Sequence, residues 1–135
     1  MKIDNIYKVN RSLKKGIWRG RRLNKEVAIN LRAVAKDFFD SLGLGGTQFE
    51  DITFTGSLAN FNYTKFSDID LHILVDFKKI DADAELVREY FSAKSSNWNN
   101  KHDIRIFGHE IELYVQDSNE PHHSTGVYSV QNDQW

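Results

Sequence analysis

The chain has 135 residues and a formal net charge of −1, with 40% hydrophobic and 13% aromatic residues. This size and composition suit one folded domain over residues 1–135 and argue against disorder, and the absence of cysteine excludes disulfides and thiolate metal sites. Since there is no apolar run of membrane-spanning length and no secretory signal at the start, we expect a cytoplasmic protein with no membrane partner.

The near-zero net charge conceals a basic N-terminal segment. Residues 1–25 carry nine Lys or Arg and one acid, whereas residues 26–135 carry nine Lys or Arg and eighteen acids. The basic side chains surround Trp18, so the segment could contact a nucleic acid or a triphosphate. A solvated arm, or a surface for an acidic partner, is the interpretation we favour, because no fixed recognition motif is present. The cluster consists of Arg11, Lys14, Lys15, Arg19, Arg21, Arg22 and Lys25.

A first helix is predicted after this segment. Asn24 is a suitable N-cap, and apolar residues recur at helical spacing to about Leu42, where the glycines of residues 43–46 would end the helix. The simplest interpretation is that these apolar residues form part of the hydrophobic core. They are Val27, Leu31, Val34 or Ala35, Phe38 and Leu42.

Gly56 and Ser57 directly follow a predicted strand. Residues 50–55 alternate, with Ile52 and Phe54 on one side. Glycine at the end of a strand lets the backbone approach an anion, and the N–H groups that follow can donate to phosphate oxygens together with the Ser57 hydroxyl. A Gly-Ser pair by itself is equally typical of an ordinary turn.

A second, mostly buried strand is predicted over residues 69–75. Alternation places Asp68, Asp70 and His72 on one face and the aliphatic residues on the other. Two acids so close raise each other's pKa unless a cation lies between them, and oxygen ligands favour magnesium or manganese. An Asp-x-Asp pair alone is also typical of solvated acids at a strand end. His72 could orient a carboxylate or be an ordinary hydrogen-bonded histidine.

The remaining elements alternate between helix and strand. A helix is predicted from Asp81 or Asp83 to about Lys94, followed by a polar loop at residues 95–100, a strand at 103–107, a turn at 108–109 and a strand at 110–115. The apolar side of this helix would consist of Leu86, Val87, Tyr90 and Phe91. Glu110, Glu112 and Tyr114 share one face of the last strand. The polar C-terminal segment, residues 116–135, could wrap the rim of a site, and its His122 and His123 are expected to be simply exposed.

This order of elements predicts the fold class. Helix, strand, turn, strand, helix and hairpin suit an α+β (α/β-like) domain with a short mixed β-sheet backed by helices. The acidic face of the sheet would then be open to a substrate.

The run Gly-Ser-x-Ala-x7-Ser-Asp-Ile-Asp-Leu, from Gly56 to Leu71, resembles the signature of the DNA polymerase beta-like nucleotidyltransferase superfamily, in particular its minimal bacterial, archaeal and phage members. Order, spacing and hydrophobic flanks match over residues 52–75. Phe61 is a departure, since many minimal members have glycine there. The resemblance implies a nucleotidyltransferase palm-like core that moves a nucleoside monophosphate from a nucleoside triphosphate, expected to be ATP, to an acceptor hydroxyl with release of pyrophosphate.

The resemblance also implies roles for particular residues. Asp68 and Asp70 would hold two Mg²⁺ or Mn²⁺ ions, and a third carboxylate would come from a neighbouring strand. Glu110 or Glu112 could supply it, and we prefer Glu112 because it lies in mid-strand, whereas Glu110 borders a turn and could be freely solvated. The residues that would hold the nucleotide are Gly56, Ser57, Lys65 and Ser67.

The acceptor stays open at this point. Minimal members of the superfamily modify proteins, small molecules or RNA ends, and some are antitoxins that adenylylate a HEPN-type partner toxin. A homodimer or a partner chain could complete the site, with the basic N-terminal segment as a candidate contact. Two alternatives from other classes are a catalytically weak module that binds metal and nucleotide, and a nucleic-acid-binding protein that uses residues 1–25.

Overall fold

The structure is a computed structural model and describes residues 9–121 and 126–135. His122 and His123, which the sequence predicts to be exposed, lie outside these residues. In chain order the elements are β1 (Trp18–Arg19), β2 (Arg22–Leu23), α1 (Lys25–Ser41), β3 (Asp51–Thr55), β4 (Ile69–Val75), α2 (Ala84–Lys101), β5 (Arg105–Ile106), β6 (His109–Asp117) and β7 (Tyr128–Ser129), with short 3-10 turns at Ser57–Ala59 and Phe77–Lys79.

The main sheet has five strands in the order β5-β6-β4-β3-β7, and β1 pairs with β2 in a separate hairpin. Within the main sheet β4 and β6 run parallel, and the other neighbours are antiparallel. This is the α+β arrangement with a short mixed sheet backed by helices, so the predicted fold class is confirmed. Among the described helices, none has the length and apolar character that a membrane crossing requires.

The two central strands separate a core face from an open face. Ile69 and Leu71 of β4 are fully buried, as is Leu113 of β6. Because side chains alternate along a strand, the residues between them point to the other face. Those residues, among them Asp70 and Glu112, are only partly buried. The alternation predicted for both strands is therefore present.

Helix α1 begins and ends as the sequence predicts. The Asn24 side chain accepts a hydrogen bond from the Glu26 amide at 3.0 Å, and Leu42 is the C-cap. Gly43 follows with a positive φ of 67°, a conformation that glycine adopts without strain. The predicted apolar positions are buried, and at the ambiguous position it is Ala35 that is fully buried.

Helix α2 is longer than predicted. Asp83 is its N-cap and accepts from the Leu86 amide at 3.2 Å, but the helix continues through Lys101, so the loop predicted at residues 95–100 is wrong. The Trp98 ring packs on Phe38 at 5.4 Å between centroids. Asn99 donates to the Leu113 carbonyl and accepts from its amide, both at 3.0 Å. These tertiary contacts outweigh the weak helix propensity of the Ser and Asn residues.

Two other details of this region differ from the prediction. Val87 and Phe91 are buried, but Leu86 and Tyr90, predicted on the same apolar side, are 56% and 41% exposed. The strand predicted at residues 103–107 shortens to Arg105–Ile106, because Phe107 enters a turn with a φ of 51°.

The basic N-terminal segment packs into the fold. Leu13, Ile17 and Trp18 are buried, and the Trp18 ring contacts Phe54 and Tyr128 at 5.3 and 5.0 Å between centroids. The interpretation as a solvated arm is therefore wrong for the described part of the segment. Its apolar residues anchor it, while most of its basic side chains are exposed.

Candidate active site

Three carboxylates meet where β4 begins. Oxygen atoms of Asp68, Glu110 and Glu112 lie within 4.8 Å of one another, and all three residues are partly buried. Asp68 directly precedes β4, and the two glutamates alternate along β6 on the same face. The parallel register, which places Asp70 opposite Glu112, brings these segments side by side. The structure thus joins Asp68 and Glu112 across neighbouring strands.

Glu110 belongs to this carboxylate cluster. The sequence suggested that Glu110 could be freely solvated at the border of the turn, but its carboxylate faces Asp68 and Glu112. The reason is the hairpin geometry, which pairs Glu110 with Arg105 of β5 and so keeps it within the sheet. The spacing of two residues between Glu110 and Glu112 was the signal that both would share one face.

Asp70 lies beside the cluster, against Gly56. A Cβ atom at Gly56 would collide with the Asp70 carboxylate, and Gly56 has a φ of 85°. Glycine at this position therefore lets the turn and the carboxylate approach each other. Burial, together with the negative charges of Glu112 and Asp68, raises the pKa of Asp70 to about 6.

The cluster is electrostatically unfavourable in the absence of a cation. Burial raises the pKa of Asp68 above its usual range, and so do the charge of Glu112 and a hydrogen bond with it; Arg105 and His109 act in the opposite direction. A divalent cation would relieve this repulsion, because it favours the ionised form of every carboxylate around it. Carboxylate oxygens are the ligands that magnesium and manganese prefer.

The predicted phosphate turn is next to the cluster. The Ser57 hydroxyl donates to the Ser67 hydroxyl at 2.7 Å, and the Thr64 amide donates to the same Ser67 oxygen at 2.9 Å. The Ser67 carbonyl is 2.7 Å from Nδ1 of His109, which joins this loop to β6. Both serines predicted to hold a nucleotide therefore meet directly before Asp68. The Lys65 ammonium lies over the Phe66 ring, 5.1 Å from its centroid.

Tyr114 is a contact of the cluster that the sequence did not assign. Its hydroxyl donates to Oε2 of Glu112 at 2.5 Å, and its ring lies 5.1 Å from that of His72. Burial and the interaction with Glu112 raise the Tyr114 pKa well above its usual value. The strand pattern contained a signal for this contact. In the parallel register His72 pairs with Tyr114, two residues further along each strand than the pair of Asp70 and Glu112. His72 therefore packs against the ring of Tyr114, whose hydroxyl is hydrogen-bonded to Glu112.

The N-terminal segment supports the phosphate turn from the outside. The Trp18 indole N–H donates to the Leu58 carbonyl at 2.7 Å. The Asn10 side-chain amide donates to the carbonyls of Phe61 and Tyr63 at 3.0 and 2.9 Å. Phe61, the departure from the superfamily pattern, is therefore held through its backbone. Sequence spacing gave no indication of these long-range contacts.

No protein-family profile and no curated protein matches the chain. A crystal structure of a Sulfolobus solfataricus protein, provisionally described as a nucleotidyltransferase, aligns at 18% identity over 86% of this chain and 90% of that one, with a TM-score of 0.46.

Proposed function

We propose that the chain is a nucleotidyltransferase that moves a nucleoside monophosphate from a nucleoside triphosphate, ATP first among them, to an acceptor hydroxyl with release of pyrophosphate. The observation that supports this most is the cluster of three partly buried carboxylates directly beside the Ser57–Ser67 contact. The resemblance of residues 52–75 to DNA polymerase beta-like nucleotidyltransferases, which have a palm-like core, points to the same reaction.

The residues fit magnesium or manganese. Asp68 and Asp70 would hold two ions, and Glu112 would complete one of the two sites. Glu110 offers a further oxygen in the same cluster. The donor set is made of carboxylates, and a cation would oppose both the burial and the carboxylate repulsion that raise the pKa values of Asp68 and Asp70. Bound there, such ions would lower the pKa of the acceptor hydroxyl and neutralise triphosphate charge.

The chain's own residues would bind and orient the reactants. Ser57, Ser67 and the backbone after Gly56 would hold the β and γ phosphates, and Lys65 on the same loop would add positive charge. The Ser57 hydroxyl donates to another hydroxyl rather than to the backbone, so it can turn to a phosphate oxygen without disturbing the chain. Positioning and charge neutralisation would then supply most of the catalysis.

The reaction itself is a substitution at phosphorus. The acceptor oxygen forms a bond to the α-phosphorus while the bond between that phosphorus and the α–β bridging oxygen breaks. Pyrophosphate leaves, and the proton of the acceptor hydroxyl passes to solvent. The products are the nucleotidylated acceptor and pyrophosphate.

The test is incubation of the protein with each labelled nucleoside triphosphate and magnesium. Pyrophosphate release and label transfer to protein, RNA or small acceptors are followed, with EDTA as the metal-free arm. We expect metal-dependent release that is lost in Asp68→Asn and kept in the control Asp37→Asn, which changes an exposed acid on α1. Magnesium-dependent ATP binding without any pyrophosphate release would overturn the enzymatic function in favour of a nucleotide-binding module.

Oligomerisation and partner chains are tested in the same assay. A rate per molecule that increases with protein concentration would indicate a homodimer. Activity that appears only when a second protein is added would indicate an obligate partner, as expected for an adenylylating antitoxin with its toxin.

A further inference from the structure

We propose that the acceptor is a single-stranded polynucleotide and that it binds along a basic and aromatic rim next to the carboxylate cluster. This inference rests on the proposed function and names its acceptor class. The rim is formed by Arg11, Lys14, Lys15, Phe66 and Phe107.

The basic part of the rim is fixed beside the site by the N-terminal segment. Asn10 is hydrogen-bonded to the loop that follows the phosphate turn, and Trp18 is bonded to the turn itself. Between these anchors Gly16 lies against Phe107, since a Cβ atom there would be 3.7 Å from the Phe107 ring. Lys14 and Lys15 are therefore held beside the β5–β6 hairpin that carries Phe107.

The aromatic part of the rim consists of two exposed rings. Phe66 is 81% exposed and Phe107 is 65% exposed. Phe66 lies two residues before Asp68, and Phe107 lies two residues before His109. The contact between Nδ1 of His109 and the Ser67 carbonyl, 2.7 Å, joins the two segments. Both exposed rings therefore belong to chain segments that lead into the cluster, and neither ring is part of the hydrophobic core. Stacking of a base on such a ring contributes about 1–3 kcal/mol and needs no particular sequence.

The rim cations are available to an anionic ligand. In the part of the chain that the structure describes, Arg11, Lys14 and Lys15 form no ion pair, whereas Arg22, Lys36, Arg88 and Arg105 each do. An acidic protein would match these charges but not the exposed rings beside them. A single strand of nucleic acid matches both, because phosphates alternate with bases along it.

The arrangement also favours a polymer over a small acceptor. The carboxylate cluster repels a phosphate, so the rim can hold the chain of the ligand while only a terminal hydroxyl reaches the cluster. The triphosphate would occupy the Ser57–Ser67 turn, together with Lys65. RNA and DNA share this chemistry, and the experiment below distinguishes them.

The experiment measures binding of fluorescent single-stranded RNA and DNA oligonucleotides of about ten nucleotides, a typical length for such sites. The Asp70→Asn protein is used with magnesium and no nucleotide, so that no transfer occurs. We expect Lys14→Glu with Lys15→Glu to weaken binding at least about tenfold and to reduce its salt dependence. Phe66→Ala with Phe107→Ala should weaken binding to a similar degree.

Matched controls separate the rim from charge in general. Lys78→Glu with Lys79→Glu changes two adjacent exposed lysines that follow the other end of β4, and Ile29→Ala removes an exposed apolar side chain on α1. Both controls should bind as the parent does. Weakening by the Lys78 and Lys79 pair equal to that of the rim pair would overturn the proposal. So would polyglutamate that binds as tightly as the oligonucleotides.

Failure of this inference differs from failure of the proposed function. Pyrophosphate release by the wild-type protein without oligonucleotide binding would overturn the rim alone. Rim-dependent binding without metal-dependent pyrophosphate release would overturn the enzymatic function and with it the acceptor role. Preference for RNA or for DNA in the binding arms, followed by label transfer to the same oligonucleotide, would support the proposal and identify the acceptor.

Discussion

The two ends of the paired strands β4 and β6 both carry acids, but the hydrogen-bonding environments of these acids differ. At the far end Asp117 is only 6% exposed, and its Oδ1 accepts from the Phe77 amide at 3.3 Å and from the amide and side chain of Asn119 at 3.2 and 2.9 Å. At the near end Asp68, Glu110 and Glu112 face one another.

This difference separates a structural acid from a candidate metal ligand. A buried carboxylate that accepts several N–H groups is stabilised by the protein itself. At the near end, burial and the neighbouring carboxylates raise the pKa values of Asp68 and Asp70. A bound cation would stabilise their ionised form further. We therefore propose that the near end serves a ligand, whereas the far end stabilises the fold.

The largest effect is expected when one acid is neutralised at each end of the strands. Asp68→Asn or Glu112→Gln should lower the rate of nucleotide transfer by about a thousandfold or more, because metal-based stabilisation of a transition state amounts to several kcal/mol. The metal-free melting temperature should stay unchanged or rise, since a repulsive charge is removed. Asp117→Asn should keep transfer within a few-fold of wild type. Equal losses at both ends would contradict the assignment.

The second prediction concerns the turn beside Asp70. Gly56→Ala should lower both activity and stability, the latter by about 2–4 kcal/mol, because the new Cβ collides with the Asp70 carboxylate and φ is positive. The matched control is Gly20→Ala, where φ is 63° but no atom lies within 4 Å of the new Cβ. In Gly20→Ala the stability should fall only by the part that backbone strain causes. Calorimetry and the transfer assay on both variants check this, and identical behaviour would argue against a tight approach at Gly56.

The third prediction tests the far end. Asp117→Ala should lower the free energy of unfolding by about 1–3 kcal/mol, because the Phe77 amide and the Asn119 groups lose their acceptor. Urea unfolding measures this. Magnesium should not change the loss, since Asp117 is at the end of the strands away from the carboxylate cluster. If magnesium restored the lost stability, a cation would have to bind near Asp117, which would contradict the prediction.

The fourth prediction is a pH dependence of stability without metal. The folded-state pKa of Asp70, about 6, is above its unfolded value of 3.8, so the folded protein binds the extra proton between these values. Stability should fall as pH rises from about 4 to 6 and level off above. The fall attributable to Asp70 should be about 1–2 kcal/mol, less than the full shift implies because the carboxyl is partly exposed. Unfolding in EDTA measures it, and the slope should shrink in Asp70→Asn. An unchanged slope would exclude Asp70 as the cause.

Periodic patterns in the sequence were sufficient for much of this fold. The alternation of residues 69–75 and 110–115 predicted two strands with acids on one face, and Asn24 predicted the start of α1, because each signal is local. The end of α2 could not be predicted in this way. Residues 95–100 have low helix propensity, and the contacts of Trp98 and Asn99 that keep them helical come from α1 and β6.

The same distinction holds for the candidate site. Asp68, Ser57 and Ser67 could be grouped from spacing, since the chain returns to the same place within ten residues. Glu110 was underestimated because its position depends on the pairing of β5 with β6. The N-terminal segment was misjudged for the same reason: burial of Trp18 depends on Phe54, Tyr128 and Trp135, which are distant in sequence.

The smallest predicted effect concerns Tyr114, which provides one hydrogen-bond donor to a carboxylate of the cluster. Its hydroxyl donates a hydrogen bond to Oε2 of Glu112, as N–H groups donate to Asp117 at the far end. The other carboxylate oxygen of Glu112 remains for a cation. Tyr114→Phe keeps the ring beside His72 but loses this donor. We expect the magnesium concentration needed for half-maximal transfer to rise about tenfold, with the rate at saturating magnesium nearly unchanged. A magnesium titration of transfer measures both quantities. A lower rate at saturating magnesium would mean that the hydroxyl acts on the reacting groups, and an unchanged titration would mean that Glu112 is positioned without it.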